Sequence, residues 1–233
     1  MRKTAKTLIF FGTPEFATPS LKALQKKFKV FQPKNITEIP ANTDIAVVAA
    51  YGHIIPKKIL EIPKFGFLNI HPSLLPKYRG PSPIQNAILN GDKETGVSIM
   101  LLDKKMDSGP ILAQKKVKIN ENETYETLRN RLAEIGAKLL IKTLLDYVSG
   151  KIKPKPQNHK KATYTKLLKR EDGKIDWSKP AEEIERMVRA YHPWPGTWTE
   201  LNGKRLKIIL NRVQLEGKKE MSLDEFLRGY VKN

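Results

Sequence analysis

The run Asp44-Ile45-Ala46-Val47-Val48-Ala49-Ala50 constrains the fold more than any other stretch of the chain. No polar side chain alternates with its apolar ones, so neither face of the strand it forms can be left to water. A strand buried on both faces belongs in a largely parallel sheet with helices on either side. Leu8-Ile9-Phe10-Phe11 is a second such run, preceded by Arg2, Lys3 and Lys6 and cut by Gly12-Thr13-Pro14. It is too short for a secretory signal and reads as the first strand. A helix is predicted over 19–26, with Leu21 and Leu24 inward, then a short strand over 29–33. Residues 67–71 give another strand and 82–90 a helix, with strands following over 95–102 and from 109. The long stretch 124–148 repeats Leu128, Leu132, Ile135, Leu139, Leu140 and Leu144 at the helical period. Together these elements predict a doubly wound, Rossmann-like α/β domain over residues 1–150.

Beyond it, residues 151–165 read as a basic linker, because Lys153-Pro154-Lys155-Pro156 favours an extended, solvated chain. Residues 166–233 form a smaller β-rich domain. A helix is expected over 180–190, a rigid aromatic corner at 191–198, and strands over 197–201 and 206–210 around an Asn202-Gly203 hairpin turn.

Composition narrows the chemistry. The 43 Lys and Arg against 24 Asp and Glu leave a formal charge of +19, which favours a polyanionic partner through counterion release. With no cysteine, disulfides and thiolate zinc sites are excluded. His53, His71, His159 and His192 are scattered, so no metal site is expected. No apolar run approaches the roughly 20 residues that span a bilayer, and the cytoplasm is the default location.

The candidate site lies in Phe67-Leu68-Asn69-Ile70-His71-Pro72-Ser73-Leu74-Leu75-Pro76-Lys77-Tyr78-Arg79-Gly80. Asn69 and His71 interrupt an apolar strand at a spacing of two, so amide and imidazole project from one face. Pro72 lacks an N–H and stops the strand. Both polar groups therefore sit at a strand's carboxyl end, where open α/β sheets hold ligands. Asp107, in the turn-rich Met106-Asp107-Ser108-Gly109-Pro110, supplies a carboxylate. An amide donor and an imidazole can stabilise a tetrahedral oxyanion, and a carboxylate can orient the imidazole or help take the proton an attacking amine must lose. The set suits acyl transfer to an amine. Arg79 either pairs locally or meets a substrate phosphate.

Asn69-Ile70-His71-Pro72-Ser73-Leu74-Leu75-Pro76, with Asp107 in Met-Asp-Ser-Gly, resembles the signature of the folate-dependent formyltransferases. The resemblance implies 10-formyltetrahydrofolate as formyl donor, Asn69, His71 and Asp107 as the catalytic group, and no metal. Ala50-Tyr51-Gly52-His53-Ile54-Ile55-Pro56 matches a second family segment and implies a pterin near Tyr51, Gly52 and Ile54 and near Ser73, Leu74, Leu75 and Pro76. The turn Gly12-Thr13-Pro14 with Phe16 is similar to that of the family's tRNA-acting branch, which implies contacts of Gly12, Thr13, Pro14, Phe16 and Arg79 with the acceptor. Gly217-Lys218-Lys219-Glu220-Met221-Ser222 resembles the same branch's terminus. The acceptor so implied is the α-amine of initiator methionyl-tRNA, met by the basic linker and an OB-like C-terminal domain and acted on by a monomer. Two departures stand out: only 27–30 separate the first helix from Phe31-Gln32-Pro33, where that branch has a strand, a basic loop and a helix, and the C-terminal barrel is shortened. A nucleotide-linked amino sugar is the alternative acceptor. The first turn is not the glycine-rich phosphate loop of the purine transformylases.

Overall fold

The structure is a computed structural model and describes residues 7–12 and 14–230. The chain divides into two units. The first holds the described residues up to Pro83 with Glu94–Lys118 and Arg129–Lys166; the second holds Ile84–Lys93, Ile119–Leu128 and the described residues from Leu167 on.

The first unit is built on a six-stranded sheet of order β2-β1-β3-β4-β5-β6. Strands β1 (Leu8–Gly12), β2 (Val30–Phe31), β3 (Ile45–Ala49) and β4 (Phe67–His71) run parallel. β5 (Glu94–Leu101) and β6 (Ile111–Lys118) are antiparallel additions. Every residue of β3 is buried, as its unbroken apolar run requires. On one face Ile9, Phe11, Ala46, Val48 and Phe67 pack with Ile39 and Ile55, and each large apolar side chain so buried contributes about 1.5–3 kcal/mol.

From β1 the chain passes through helix α1 (Pro14–Gln25) to β2 on one side of β1, then returns to β3 on the other. The order reverses between β1 and β3, the place where such sheets open a crevice. Pairing of Gly12 with Ala49 and of Ala49 with Ile70 sets the three strand ends level. The loops after β1, β3 and β4 therefore leave from one sheet edge.

Helix α1 begins earlier than expected. A proline suits the first turn of a helix because its missing N–H has no partner there. That rule picks out Pro19 as readily as Pro14, which is why the sequence places the start too late. Helix α2 (Lys57–Leu60) is too short to show a period, while α3 (Pro83–Leu89) and α4 (Tyr125–Val148) lie within a residue of their expected bounds. Leu128, Leu132, Leu140 and Leu144 of α4 are buried.

Residues 151–165 are not a free, solvated linker. Lys155 bridges Ile111, Tyr164 bridges Arg79, and Gln157 and Thr165 are buried. The lysine side chains do face solvent, so composition reports them correctly; composition does not report where the main chain bonds.

The second unit carries an antiparallel sheet of order β10-β9-β8-β7: β7 (Thr197–Leu201), β8 (Lys204–Ile209), β9 (Arg212–Leu215) and β10 (Met221–Ser222). Helices α5 (Ala181–Tyr191) and α6 (Leu223–Tyr230) complete it, with Leu206, Val213, Leu215 and Phe226 at its core. β9, β10 and α6 are findings of the structure, their segments being too short to show a period. Among the described residues no helix is long and apolar enough to cross a membrane.

Helix α6 starts on a capping box. Glu225 N–H donates to Ser222 Oγ at 3.2 Å, and Glu225 Oε2 accepts from Ser222 N at 2.8 Å and Ser222 Oγ at 2.9 Å. The main-chain bond first, then the hydroxyl bond, holds the Glu225 carboxyl below its ordinary value. A lowered folded-state pKa gives stability that is present above the unfolded value and lost as pH falls through the folded one. Ser222→Ala is expected to speed amide exchange across α6 roughly tenfold at neutral pH, the scale of a lost N-cap. The unsubstituted chain should approach the variant's rate as acid titrates Glu225; equal exchange rates at neutral pH would show that the box does not hold the helix.

Candidate active site

His71 ends β4 and is 4% exposed. Its Nε2 lies 2.9 Å from the carbonyl oxygen of Tyr78. A carbonyl can only accept, so the ring proton sits on Nε2 and Nδ1 is left facing Asp107 Oδ2 at 3.7 Å. Asn69, two residues earlier on the same face, aims Nδ2 at Asp107 Oδ1, 3.4 Å away. Asp107 Oδ2 also accepts from the main-chain N–H of Gly80 at 2.8 Å. One carboxylate thus gathers the amide, the imidazole and a backbone donor, and the three side chains that the strand and turn patterns single out are brought together.

Asp107 reaches this place from the loop between β5 and β6. The loop is braced internally, with Asp103 Oδ1 accepting from Lys105 N at 2.9 Å and from Ser108 Oγ at 2.6 Å. Asp107 has φ of 49°, a left-handed conformation that aspartate tolerates better than most residues. Gln157 fixes that backbone from outside: Nε2 donates to the carbonyls of Asp107 at 2.9 Å and Gly109 at 2.7 Å.

Arg79 is 2% exposed. Its Nη2 and Nε donate to Gln157 Oε1 at 2.7 and 3.2 Å, Nη1 to Tyr164 Oη at 3.2 Å, and Nη2 meets His159 Nδ1 at 3.0 Å. Alongside, Arg79 N donates to Thr163 O and Thr165 N to Arg79 O. Gly80 must be glycine here, since its φ is 109° and a Cβ would lie 2.6 Å from the Thr165 carbonyl oxygen.

The remaining sequence candidates divide. Ser73, Leu74, Leu75 and Pro76 bond mostly within the protein: Ser98 Oγ accepts from Leu75 N and donates to Ser73 O, and Gln114 Nε2 donates to Leu75 O and Ser98 Oγ. Tyr51 packs on Phe11 and His53, Gly52 has open space around it, and Ile54 is 93% exposed. Tyr51 to Ile55 make no main-chain hydrogen bond to another described residue. Gly12 is exposed, but a Cβ there would come within 2.5 Å of Ala17 and of the Ala49 carbonyl oxygen, so packing alone demands a glycine. Phe16 is a core residue, buried on α1, rather than a free contact surface. Thr13 and the Pro14 side chain lie outside the described residues.

Sequence reasoning missed Gln157, Ser98 and Gln114. Gln157 is the one uncharged long polar side chain between Lys155 and Lys160, a weak signal; Ser98 gives none in an otherwise apolar strand. Among the described residues no group of acidic, His or Cys side chains has metal-binding geometry.

The sequence matches the Formyl transferase family over residues 10–144 and the Formyl transferase C-terminal domain over residues 167–211. It is 56% identical to a methionyl-tRNA formyltransferase of Roseiflexus sp. (strain RS-1) over 182 residues, which cover 78% of this chain and 56% of that protein. It is 51% identical to that of Roseiflexus castenholzii over 211 residues, covering 87% and 67%. The chain thus spans about half to two thirds of the length of these relatives. In fold it resembles HypX from Aquifex aeolicus in complex with tetrahydrofolic acid, with a TM-score of 0.76, 17% identity and coverage of 97% of this chain and 48% of that one. It also resembles Rv3404c of Mycobacterium tuberculosis, described as a likely sugar N-formyltransferase, with a TM-score of 0.74, 19% identity and coverage of 93% and 100%.

Gln157→Ala removes the acceptor of a buried guanidinium and the donor of two carbonyls. Unsatisfied buried groups cost about 1–3 kcal/mol, more when charged. The variant is expected to lose at least ~2 kcal/mol of unfolding free energy in a urea titration; a loss below ~0.5 kcal/mol would show that the Asp107 loop does not depend on this side chain.

Proposed function

The chain belongs to the formyl transferase family, and from that premise we propose that it transfers a formyl group from 10-formyltetrahydrofolate to the α-amine of initiator methionyl-tRNA. The observation that carries the chemistry is the single carboxylate of Asp107 gathering Asn69, His71 and the Gly80 N–H. The acceptor rests on the relatives named above and on the charge of +19.

The amine attacks the formyl carbon as the neutral base. A C–N bond forms and the carbonyl electrons move to oxygen. Asn69 Nδ2 and, with the ring in its imidazolium form, the Nδ1–H of His71 are the donors placed to hold that oxygen, the largest single contribution such sites make. The Nε2 proton is already committed to Tyr78 O, which fixes the ring and leaves Nδ1 on the working side. Asp107 orients both donors and helps take the proton that the amine gives up. When bound, the folate supplies the formyl carbon and leaves as the N10 amine with that proton. The loop Tyr51–Ile55 fits a pterin, because its main-chain groups have no partner among the described residues and Gly52 leaves room beside it. Ser73–Pro76 supply shape more than hydrogen bonds there. Gly12 and Arg79 meet the acceptor in this reading, with Phe16 supporting α1 from the core.

Residues 1–150 form the catalytic domain in this reading, joined by residues 151–165 to a C-terminal domain over 166–233. The exposed lysines of 151–161 and the C-terminal domain meet tRNA phosphates, and a monomer acts in the cytoplasm without metal. The short 27–30 connection favours one other acceptor, a nucleotide-linked amino sugar, since it omits a basic loop.

Asn69→Ala, His71→Ala and Asp107→Asn are each expected to cut formylation of methionyl-tRNA by about 10²–10³-fold. Asp107→Asn keeps an acceptor for the Gly80 N–H, so its thermal midpoint should barely move. Normal turnover in all three removes the mechanism. Formylation of amino-sugar nucleotides with no reaction on charged initiator tRNA removes the acceptor.

A further inference from the structure

The Asp107 loop and the segment that braces it leave between them a cleft of about 570 Å³, lined by Arg79, Lys104, Lys105, Ser108, His159 and Tyr164, with Asp103 and Met106. Its charge is unbalanced. Arg79 is all but fully buried, yet its partners Gln157, Tyr164 and His159 are uncharged acceptors, and among the described residues it forms no ion pair. A buried cation without a counter-charge is costly unless something supplies one. Lys104 and Lys105 are exposed and likewise have no ion pair among the described residues. The one lining carboxylate, Asp103, has Oδ1 already engaged by Ser108 Oγ and Lys105 N.

The donors can be counted. Of the five guanidinium N–H groups, one on Nε, one on Nη1 and two on Nη2 are taken, which leaves the second Nη1 N–H. A guanidinium only donates, so His159 Nδ1 accepts and its ring proton sits on Nε2, a further donor. Tyr164 Oη accepts from Arg79 and keeps its own proton to give. Ammonium groups from Lys104 and Lys105 add flexible donors. A cationic, donor-rich cleft of this kind is complementary to a phosphate oxyanion.

Resting on the acceptor reading above, we infer that this cleft binds a backbone phosphate next to the aminoacyl-bearing nucleoside of the acceptor. Two features favour RNA over free phosphate as the source. Tyr164 is 65% exposed beside the cleft, with the Arg79 guanidinium 5.8 Å from its ring centroid, and such an aromatic ring is a surface on which a base can stack. The cleft also adjoins the reacting groups: Ser108 follows Asp107, and Gly80, next to Arg79, donates to the Asp107 carboxylate. A phosphate anchored there, a ribose and an ester linkage from the amine, sets the position of that amine against Asp107.

The test measures binding to the full chain without turnover, using the trinucleotide cytidylyl-cytidylyl-adenosine and, separately, inorganic phosphate. Lys104→Ala/Lys105→Ala is expected to raise the trinucleotide Kd at least about tenfold and to flatten its dependence on salt. Tyr164→Ala should weaken the trinucleotide more than inorganic phosphate. Lys138→Ala, which removes an exposed charge from α4, serves as control. A double-lysine variant no weaker than that control overturns the site. An effect on inorganic phosphate with none on the trinucleotide overturns the RNA assignment. Because formyl transfer is not read, a chain that formylates methionyl-tRNA but fails this test loses only the phosphate site, and one that passes it without formylating loses only the acceptor reading.

Discussion

The Asp107 carboxylate is the tie on which the polar architecture of the first unit depends. It accepts from Gly80 N, lies against Asn69 Nδ2 and faces His71 Nδ1, so β4, the loop after it and the β5–β6 loop meet at one charged group. A carboxylate accepting a main-chain N–H makes a stronger bond than a neutral pair. Such an anion is only as well placed as its own backbone. Here that backbone is held by Gln157, which also takes the Arg79 guanidinium. One amide side chain therefore links the anion that orders the site to the cation buried behind it.

The sheet explains why the loops after β1, β3 and β4 meet. Parallel β1, β3 and β4 end level, and the reversal of order beside β1 leaves their loops on a common edge. Ala50 and Tyr78, in the loops after β3 and β4, and Asp107, in the loop between β5 and β6, have positive φ without being glycine. Such conformations cost about 1–3 kcal/mol each and persist only where surroundings over-determine them. At Tyr78 the surroundings are visible, with the amide bonded to Thr163 Oγ1 and the carbonyl to His71.

What the sequence discloses follows from period and from local turn chemistry. Asn69 and His71 stand out because a strand repeats every two residues and an apolar run makes a polar interruption conspicuous. Asp107 stands out because Ser108-Gly109-Pro110 marks a loop. Gln157 does not, because the Lys-Pro pattern around it describes exposed side chains and is silent about main-chain partners 48 and 50 residues away. Pro19 and Pro14 are indistinguishable as helix starts, and β10, two residues long, has no pattern to find. Local signals locate the reacting groups; the groups that hold them in place are long-range and appear only with the fold.

The two loops flanking the reacting groups are bonded in opposite ways, and this divides their work. From Ser73 to Gly80 nearly every main-chain group is engaged, by Ser98, Gln114, Thr163, Thr165 and Asp107. That loop has little left with which to read a ligand, but it is rigid, and it carries the carbonyl that sets the His71 proton. From Tyr51 to Ile55 the main chain has no partner among the described residues. Unpaired backbone groups at a crevice are cheap in water and become selective once a heterocycle with matching donors and acceptors covers them. The frame that aligns the reacting groups and the edge that can recognise a ring are thus supplied by different strands of one sheet, so a change in what the open loop binds need not disturb the alignment of Asn69, His71 and Asp107.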